Sequence, residues 1–226
     1  MNETHLHSRW PWIKHRFTFL LAMIFLLLVV SPFLEGLTRL QFLFNTFLSG
    51  VLISGVYALS QKIRNLAIAA LLAVPMLISL WAKYFVQSDL IFLIGRICGV
   101  FFIVFTIFHI LRHIFQEKQV TRDTIAGAAA VYMLFALMWA FMFDVLELLQ
   151  PGSFAISETQ VLGQQRNIFL YYSFVTITTL GYGDIIPVTN IATSLAAIEA
   201  VAGQLYLVVL VAWLVGMYVS RKSMSQ

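Results

Sequence analysis

Charge is what this chain is short of. Only 11% of its 226 residues are Asp, Glu, Lys or Arg, against about a quarter in an ordinary soluble domain, and so few ionic groups exclude a large water-soluble catalytic domain. Cysteine is scarcer still. Cys98 is the single one, so no intrachain disulfide can form, and its place inside an apolar run suits packing. Low-complexity tracts, internal repeats and soluble linker domains are also lacking. What is abundant is apolar surface: 61% of residues are hydrophobic and the mean hydropathy is +0.90, enough for several membrane spans of about 20 residues each. In such a chain the net charge of +4 points to no nucleic-acid partner; what matters is where the cations lie.

Apolar runs bounded by charge predict six spans: 17–34, 40–59, 66–85, 90–111, 125–148 and 192–219. Six spans put both termini on one side. Between the fifth and sixth, residues 167–178 are apolar but too short to cross, which reads as a re-entrant helix. Cytoplasmic loops carry the excess of Lys and Arg. With the N-terminus inside, that set is Arg9, Lys14, Arg16, Lys62, Arg64, Arg112, Lys118, Arg122, Arg221 and Lys222, while Arg39, Lys83, Arg96 and Arg166 fall outside or in the membrane. Glu35, Asp89, Asp144, Glu147, Glu158 and Asp184 all fall on the outer side, an electronegative mouth that concentrates cations. A basic start before an apolar core also resembles a secretory signal, but no small-x-small cleavage site follows at Ser31-Pro32-Phe33-Leu34-Glu35, and a retained helix is expected. Pro75 is expected to kink the third span, and Gln150-Pro151-Gly152-Ser153 to end the fifth.

The distinctive motif is Thr178-Thr179-Leu180-Gly181-Tyr182-Gly183-Asp184, directly after the short helix. It resembles the selectivity filter of the potassium channel family, whose T-x-G-Y-G signature Thr179 to Gly183 match. The resemblance covers about 125–220; the first four spans resemble six-span channels only in number and order. A dehydrated potassium ion needs replacement oxygens, and rings of backbone carbonyls from four chains supply them. Carbonyls that all face one axis require φ > 0 at alternate residues, which glycine adopts without steric cost. Gly181 and Gly183 alternate as this demands.

The resemblance implies that the carbonyls of Thr179, Leu180, Gly181 and Tyr182 and the Thr179 hydroxyl hold K+, the permeant ion and the only cofactor implied, with Gly183 completing the strip. It also implies that Tyr182 turns away from the axis, and that Tyr171, Tyr172, Thr178 and Asp184 support the filter. Two residues depart from the family pattern. Leu180 stands where valine is usual, and Val175 where some relatives have a glutamate that clamps the filter through the aspartate. A tight turn between helices is the bland alternative for a Gly-x-Gly triplet, but it leaves the threonines, the tyrosine, the aspartate and the short helix unexplained.

In the sixth span the resemblance makes Gly203 a hinge; close helix contact is an equal alternative. Gln204, Leu207, Val211 and Val215 then line the cavity and gate, or pack as a plain stripe. Glu199, a carboxylate inside a span, needs a partner. It is expected to reach Thr176 or Thr178, either as a protonated packing group or in gating. A voltage sensor needs about 3 to 4 gating charges per subunit. The fourth span has Arg96 followed by Gly99, Phe102 and Phe105 at three-residue steps, so voltage dependence is expected to be weak or absent, with Arg96 snorkelling toward Asp89. His109 and His113 share a helical face but make a poor metal site. Residues 116–123 fit a short surface helix.

The expected fold is all-α and integral to the membrane: six transmembrane helices, a re-entrant pore helix and a filter loop, assembled as a homotetramer. Its parts are a cytoplasmic N-terminus (1–16), a four-helix domain lacking an arginine ladder (17–115), a linker (116–124), a pore domain (125–220) and a short tail (221–226), with no cytoplasmic ligand-binding domain in this chain. The expected function is passive K+ conduction across a cell membrane, with lipids as surroundings and both termini cytoplasmic. A poorly selective channel or modulatory subunit is the alternative in the same class. A transporter or enzyme would need ionisable groups clustered in the bundle, and a structural scaffold leaves the motif without a role.

Overall fold

Hydrocarbon offers no partner to a backbone N–H or C=O, so a chain that lives there must satisfy its polar groups within each segment, and helices do this. A computed structural model describes residues 16–30, 41–59, 63–82, 84–86, 88–117, 120–156 and 168–223. Seven helices account for nearly all of them: α1 (Arg16–Val30), α2 (Gln41–Ala58), α3 (Ile63–Ala82), α4 (Asp89–Gln116), α5 (Arg122–Leu149), α6 (Ile168–Ile177) and α7 (Asn190–Ser223). Among the described residues, four helices are long and apolar enough to cross a membrane: α3, α4, α5 and α7 over Asn190–Trp213. Helices α1 and α2 are shorter, and both border positions 31–40, which lie outside the described residues. The same holds for Arg9, Lys14, Glu35, Arg39, Lys62, Lys83, Lys118, Glu158 and Arg166.

Helix α5 is the hub. It packs against α4 along one side, against α1 on another, and against α6 and α7 on the remainder. Phe143 and Leu134 of α5 are essentially fully buried, as are Phe102 of α4 and Leu20 of α1. Lipid is as apolar as these side chains, so close packing and interhelical polar bonds hold the helices together rather than hydrophobic burial. Three such bonds involve α1, α2 and α3. Asn45 Nδ2 donates to Leu80 O at 3.0 Å, tying α2 to α3, and the Asp123 carboxylate of α5 accepts from Thr18 N and Oγ1 of α1 at 3.0 and 2.9 Å.

The structure corrects two expectations. Residues 116–123 are not a separate surface helix: Gln116 ends α4, Glu117, Val120 and Thr121 are non-helical, and Arg122 already belongs to α5. Thr121 starts α5 with a reciprocal cap, accepting from Thr124 N at 3.1 Å while its own N–H donates to Thr124 Oγ1 at 3.3 Å, so the chain turns sharply. Arg96 does not snorkel toward Asp89. Its Nε donates to Asp144 Oδ2 of α5 at 2.9 Å, with the guanidinium 5.0 Å from the Phe141 ring centre; the paired carboxylate offers it more than water at the rim could. Beside the helices, the described residues also form two short strands. β1 (Phe154–Ile156) and β2 (Ile185–Pro187) form an antiparallel ribbon, Ala155 opposite Ile186, because both segments leave helix ends with unpaired backbone groups that need partners.

The ribbon is held from below by Glu147, whose carboxylate accepts from Gly152 N at 2.7 Å and Ser153 N at 3.0 Å. Glu147, Asp144 and Asp184 are all engaged in internal bonds, which weakens the expected acidic mouth. Replacing Arg96 and Asp144 singly and together by Asn or Gln should reveal a coupling of about 1–3 kcal/mol for this partly exposed pair. Thermal melting in detergent measures it, and additivity of the two single effects would show the pair to be inert.

Candidate functional site

The site begins where α6 ends. A helix leaves its last carbonyls without intrahelical partners, and here they are taken by the amides that follow. Leu180 N donates to Val175 O at 3.0 Å and Thr179 N to Thr176 O at 2.9 Å. Together with a left-handed residue at Thr179, φ +60°, this is a Schellman motif. Gly181 N adds a second donor to Val175 O at 3.2 Å. Val175 thus has no carboxylate to clamp the filter, yet its backbone carbonyl fastens two filter amides.

Positive φ recurs at every second residue: +60° at Thr179, +55° at Gly181 and +77° at Gly183. No heavy atom lies within 4 Å of where a Cβ would sit on Gly181 or Gly183. Within one chain, space therefore does not demand glycine there; the backbone conformation does. Thr179 was missed on this point, because sequence reasoning looked to glycine alone for left-handed residues. A non-glycine residue in that region costs roughly 1–2 kcal/mol, so a threonine there is held by its surroundings. Its Oγ1 donates to Thr178 O at 2.6 Å, and residues 178–183 are all exposed in the single chain.

The expected support residues divide. Tyr171 and Tyr182 lie almost parallel, 7° apart with centroids at 6.5 Å, so the Tyr182 ring turns back toward α6. Tyr171 OH donates to Asp184 Oδ2 at 2.8 Å, and Ile185 N donates to Asp184 Oδ1 at 3.1 Å. One carboxylate thus joins α6, the end of the motif and the ribbon. Tyr172 does not approach the filter of its own chain. It is buried with its ring 5.1 Å from Phe143 and 5.4 Å from Phe154, because adjacent helical residues point about 100° apart and α5 occupies that side. Thr178 Oγ1 bonds back to Phe174 O at 2.6 Å.

Glu199 is fully buried and reaches neither Thr176 nor Thr178. Its Oε1 is hydrogen-bonded to Ser173 Oγ, which is also 2.6 Å from Ala136 O of α5. Ser173, not singled out from sequence, faces the α5–α7 junction one turn below the threonines and so intercepts the carboxyl. A serine hydroxyl has one hydrogen; both contacts are satisfied when Ser173 donates to Ala136 O and a protonated Glu199 donates to Ser173. Glu199 Oε2 has no hydrogen-bond partner among the described residues. Helices α5, α6 and α7 meet at this point.

Gly203 lies under the end of α6. A Cβ there would come within 2.4 Å of Ile177 Cγ1 and 3.0 Å of Ile177 O, and α7 runs as one helix through it. Close contact, one of the two readings, accounts for this glycine. Tyr132 OH of α5 caps the same Ile177 carbonyl at 3.1 Å. On α7 the buried edge continues through Tyr206, whose OH donates to Ala128 O at 2.7 Å. Gln204 and Val211 are exposed and Leu207 half-exposed; the Val215 side chain lies outside the described residues. Ile198, Val201, Leu205, Val208 and Val209 are each more than half exposed, leaving one face of α7 uncovered by the described residues. No cluster of three or more His, Cys, Asp or Glu that could hold a metal occurs among the described residues.

A helical membrane fold carrying a backbone strip of this kind has the parts that ion conduction needs. Residues 120–220 match the family described as ion channel. Over 76 residues the chain is 36% identical to the inward rectifier potassium channel Kirbac3.1 of Paramagnetospirillum magnetotacticum, covering 34% of this chain and 22% of that relative's length. No solved structure matches the chain.

Gly203→Ala should loosen the seat of α6 by about 1–3 kcal/mol through overpacking, lowering the melting temperature, and Ile177→Ala in the same chain should restore part of the loss. Equal melting of Gly203→Ala and wild type would remove the close-contact role. Glu199→Gln, which keeps an N–H to donate to Ser173, should melt near wild type, whereas Glu199→Ala should lose about 1–3 kcal/mol by leaving buried polar groups unpaired.

Proposed function

We propose that four copies of this chain assemble around the strip Thr179 to Gly183 and conduct K+ passively down its electrochemical gradient. The observation that carries the reading is the alternation of left-handed backbone at Thr179, Gly181 and Gly183 where no packing requires it. Alternating φ brings successive carbonyls to one side of the strand, and four such strands around an axis give the oxygen rings that replace hydration water. In the assembly the carbonyls of Thr179, Leu180, Gly181 and Tyr182 and the Thr179 hydroxyl bind the ion. The exposed face of α7 meets the neighbouring copies, with Gln204, Leu207, Val211 and Val215 toward the conduction path.

Each copy crosses the membrane six times with both termini in the cytoplasm. The described cations Arg16, Arg64 and Arg112 gather at one face, around one cavity, as the cytoplasmic excess of Lys and Arg requires. Voltage dependence is weak, since the fourth span offers Arg96 alone and that guanidinium is paired to α5, which leaves no ladder of charges free to cross the field. The C-terminal end of α6 points its negative dipole toward the cavity below the filter and favours a cation there.

The test is flux and selectivity together. Liposomes holding purified protein should take up K+ and show a reversal potential near the K+ value in mixed K+ and Na+. Gly181→Ala, which places a Cβ on a left-handed residue at roughly 1–2 kcal/mol per copy, should abolish the flux. Equal permeation of the two cations would favour the poorly selective channel, and undiminished flux in Gly181→Ala would refute the filter.

A further inference from the structure

The four-helix domain has a feature that conduction does not use. At the end opposite the filter, where α1 and α3 begin and α2 and α4 end, a cavity of about 230 Å³ is lined by Arg16, Arg64, Arg112, His109, His113 and Asn65. Its apolar wall includes Phe17 and Ile110. We propose that this cavity binds a phosphate-bearing anion, the headgroup of an anionic phospholipid in the inner leaflet.

Three guanidiniums converge on the cavity, and no carboxylate is among its described lining residues. Two carboxylates lie within electrostatic reach of Arg16: Asp123, which accepts from Thr18 N and Oγ1, and Glu117, 3.2 Å from His113 Nε2, so the guanidiniums of Arg16, Arg64 and Arg112 outnumber the carboxylates. The site thus keeps a net positive charge. Arg16 is almost fully buried, yet it is positioned: its guanidinium is 4.6 Å from the Phe17 ring centre and donates to His113 Nε2 at 2.9 Å. Arg64 and Arg112 are exposed, free to close over an incoming ligand. Guanidinium forks match the geometry of phosphate oxygens. The first turn of α3, which carries Arg64 and Asn65, also adds the positive end of its dipole.

The position selects a lipid over other phosphates. Basic cavities between membrane helices near the cytoplasmic face suit anionic headgroups. Here exposed apolar side chains flank the mouth, Ile63 of α3 at 81% and Phe108 of α4 at 59% exposure, which suits acyl chains lying beside the helices.

Phosphatidic acid titrated into full-length protein in phosphatidylcholine nanodiscs, read by native mass spectrometry, tests this. Arg64→Gln and Arg112→Gln should each weaken retention about 5-fold and together about 30-fold, from roughly one surface-cation contribution each. Arg122→Gln, a basic residue of α5 outside the cavity, should change it less than about twofold on the same scale. If Arg112→Gln fails to fold, Arg64→Gln alone carries the comparison. A second arm adds millimolar inorganic phosphate at constant ionic strength to the wild type. Displacement of the lipid would assign the site to phosphate from either source, and retention would assign it to the lipid. Equal losses in all three single variants would mean general surface attraction and overturn the proposal, as would retention unaffected by both cavity variants.

Discussion

The carbonyl of Val175 is the fulcrum of the pore half. It accepts the amides of Leu180 and Gly181 and so forces the chain to leave its helix through a left-handed residue. The strip that follows inherits this start: each later residue alternates in φ, and the alternation carries the carbonyls. Everything around it keeps that turn in place. Tyr132 caps Ile177 from α5, Gly203 lets α7 come directly under Ile177, and Asp184 fixes the far end to Tyr171 and the ribbon. The strip, exposed in the single chain, is thus tied at both of its ends.

Glu199 and Ser173 extend this logic one turn below. A buried carboxyl is costly in a membrane, and here it holds the three helices of the pore half at a single point. The four-helix half is joined to the same hub, since α1 and α4 both pack on α5 and Arg96 pairs with Asp144. Such a union suits a stationary scaffold with a ligand cavity better than a charge-driven lever.

Much of this was legible in the chain itself. The long apolar runs located α3, α4, α5 and α7 because length and hydropathy are additive along a helix, and the glycine alternation announced the strip. Elements that depend on partners distant in sequence were not legible. Nothing local to Arg96 distinguishes Asp144, 48 positions on, from Asp89. Ser173 reads as one more small residue in a short apolar helix, and only the arrival of α7 makes it the partner of Glu199. The three-residue strands were too brief for a periodic signal, and Thr179 disguised a left-handed position as an ordinary one. Gly203 was legible as a special position, but hinge and close contact share the same residue, and only the nearness of Ile177 separates them.

The central claim is that the backbone oxygens of residues 179–182 from several copies bind one dehydrated monovalent cation after another. Anomalous diffraction from crystals grown with thallium in place of potassium tests it most directly. The account predicts a row of peaks on a four-fold axis, each between successive carbonyl layers of the strip. Peaks absent from that axis, or strips of neighbouring copies facing lipid rather than one another, would contradict it.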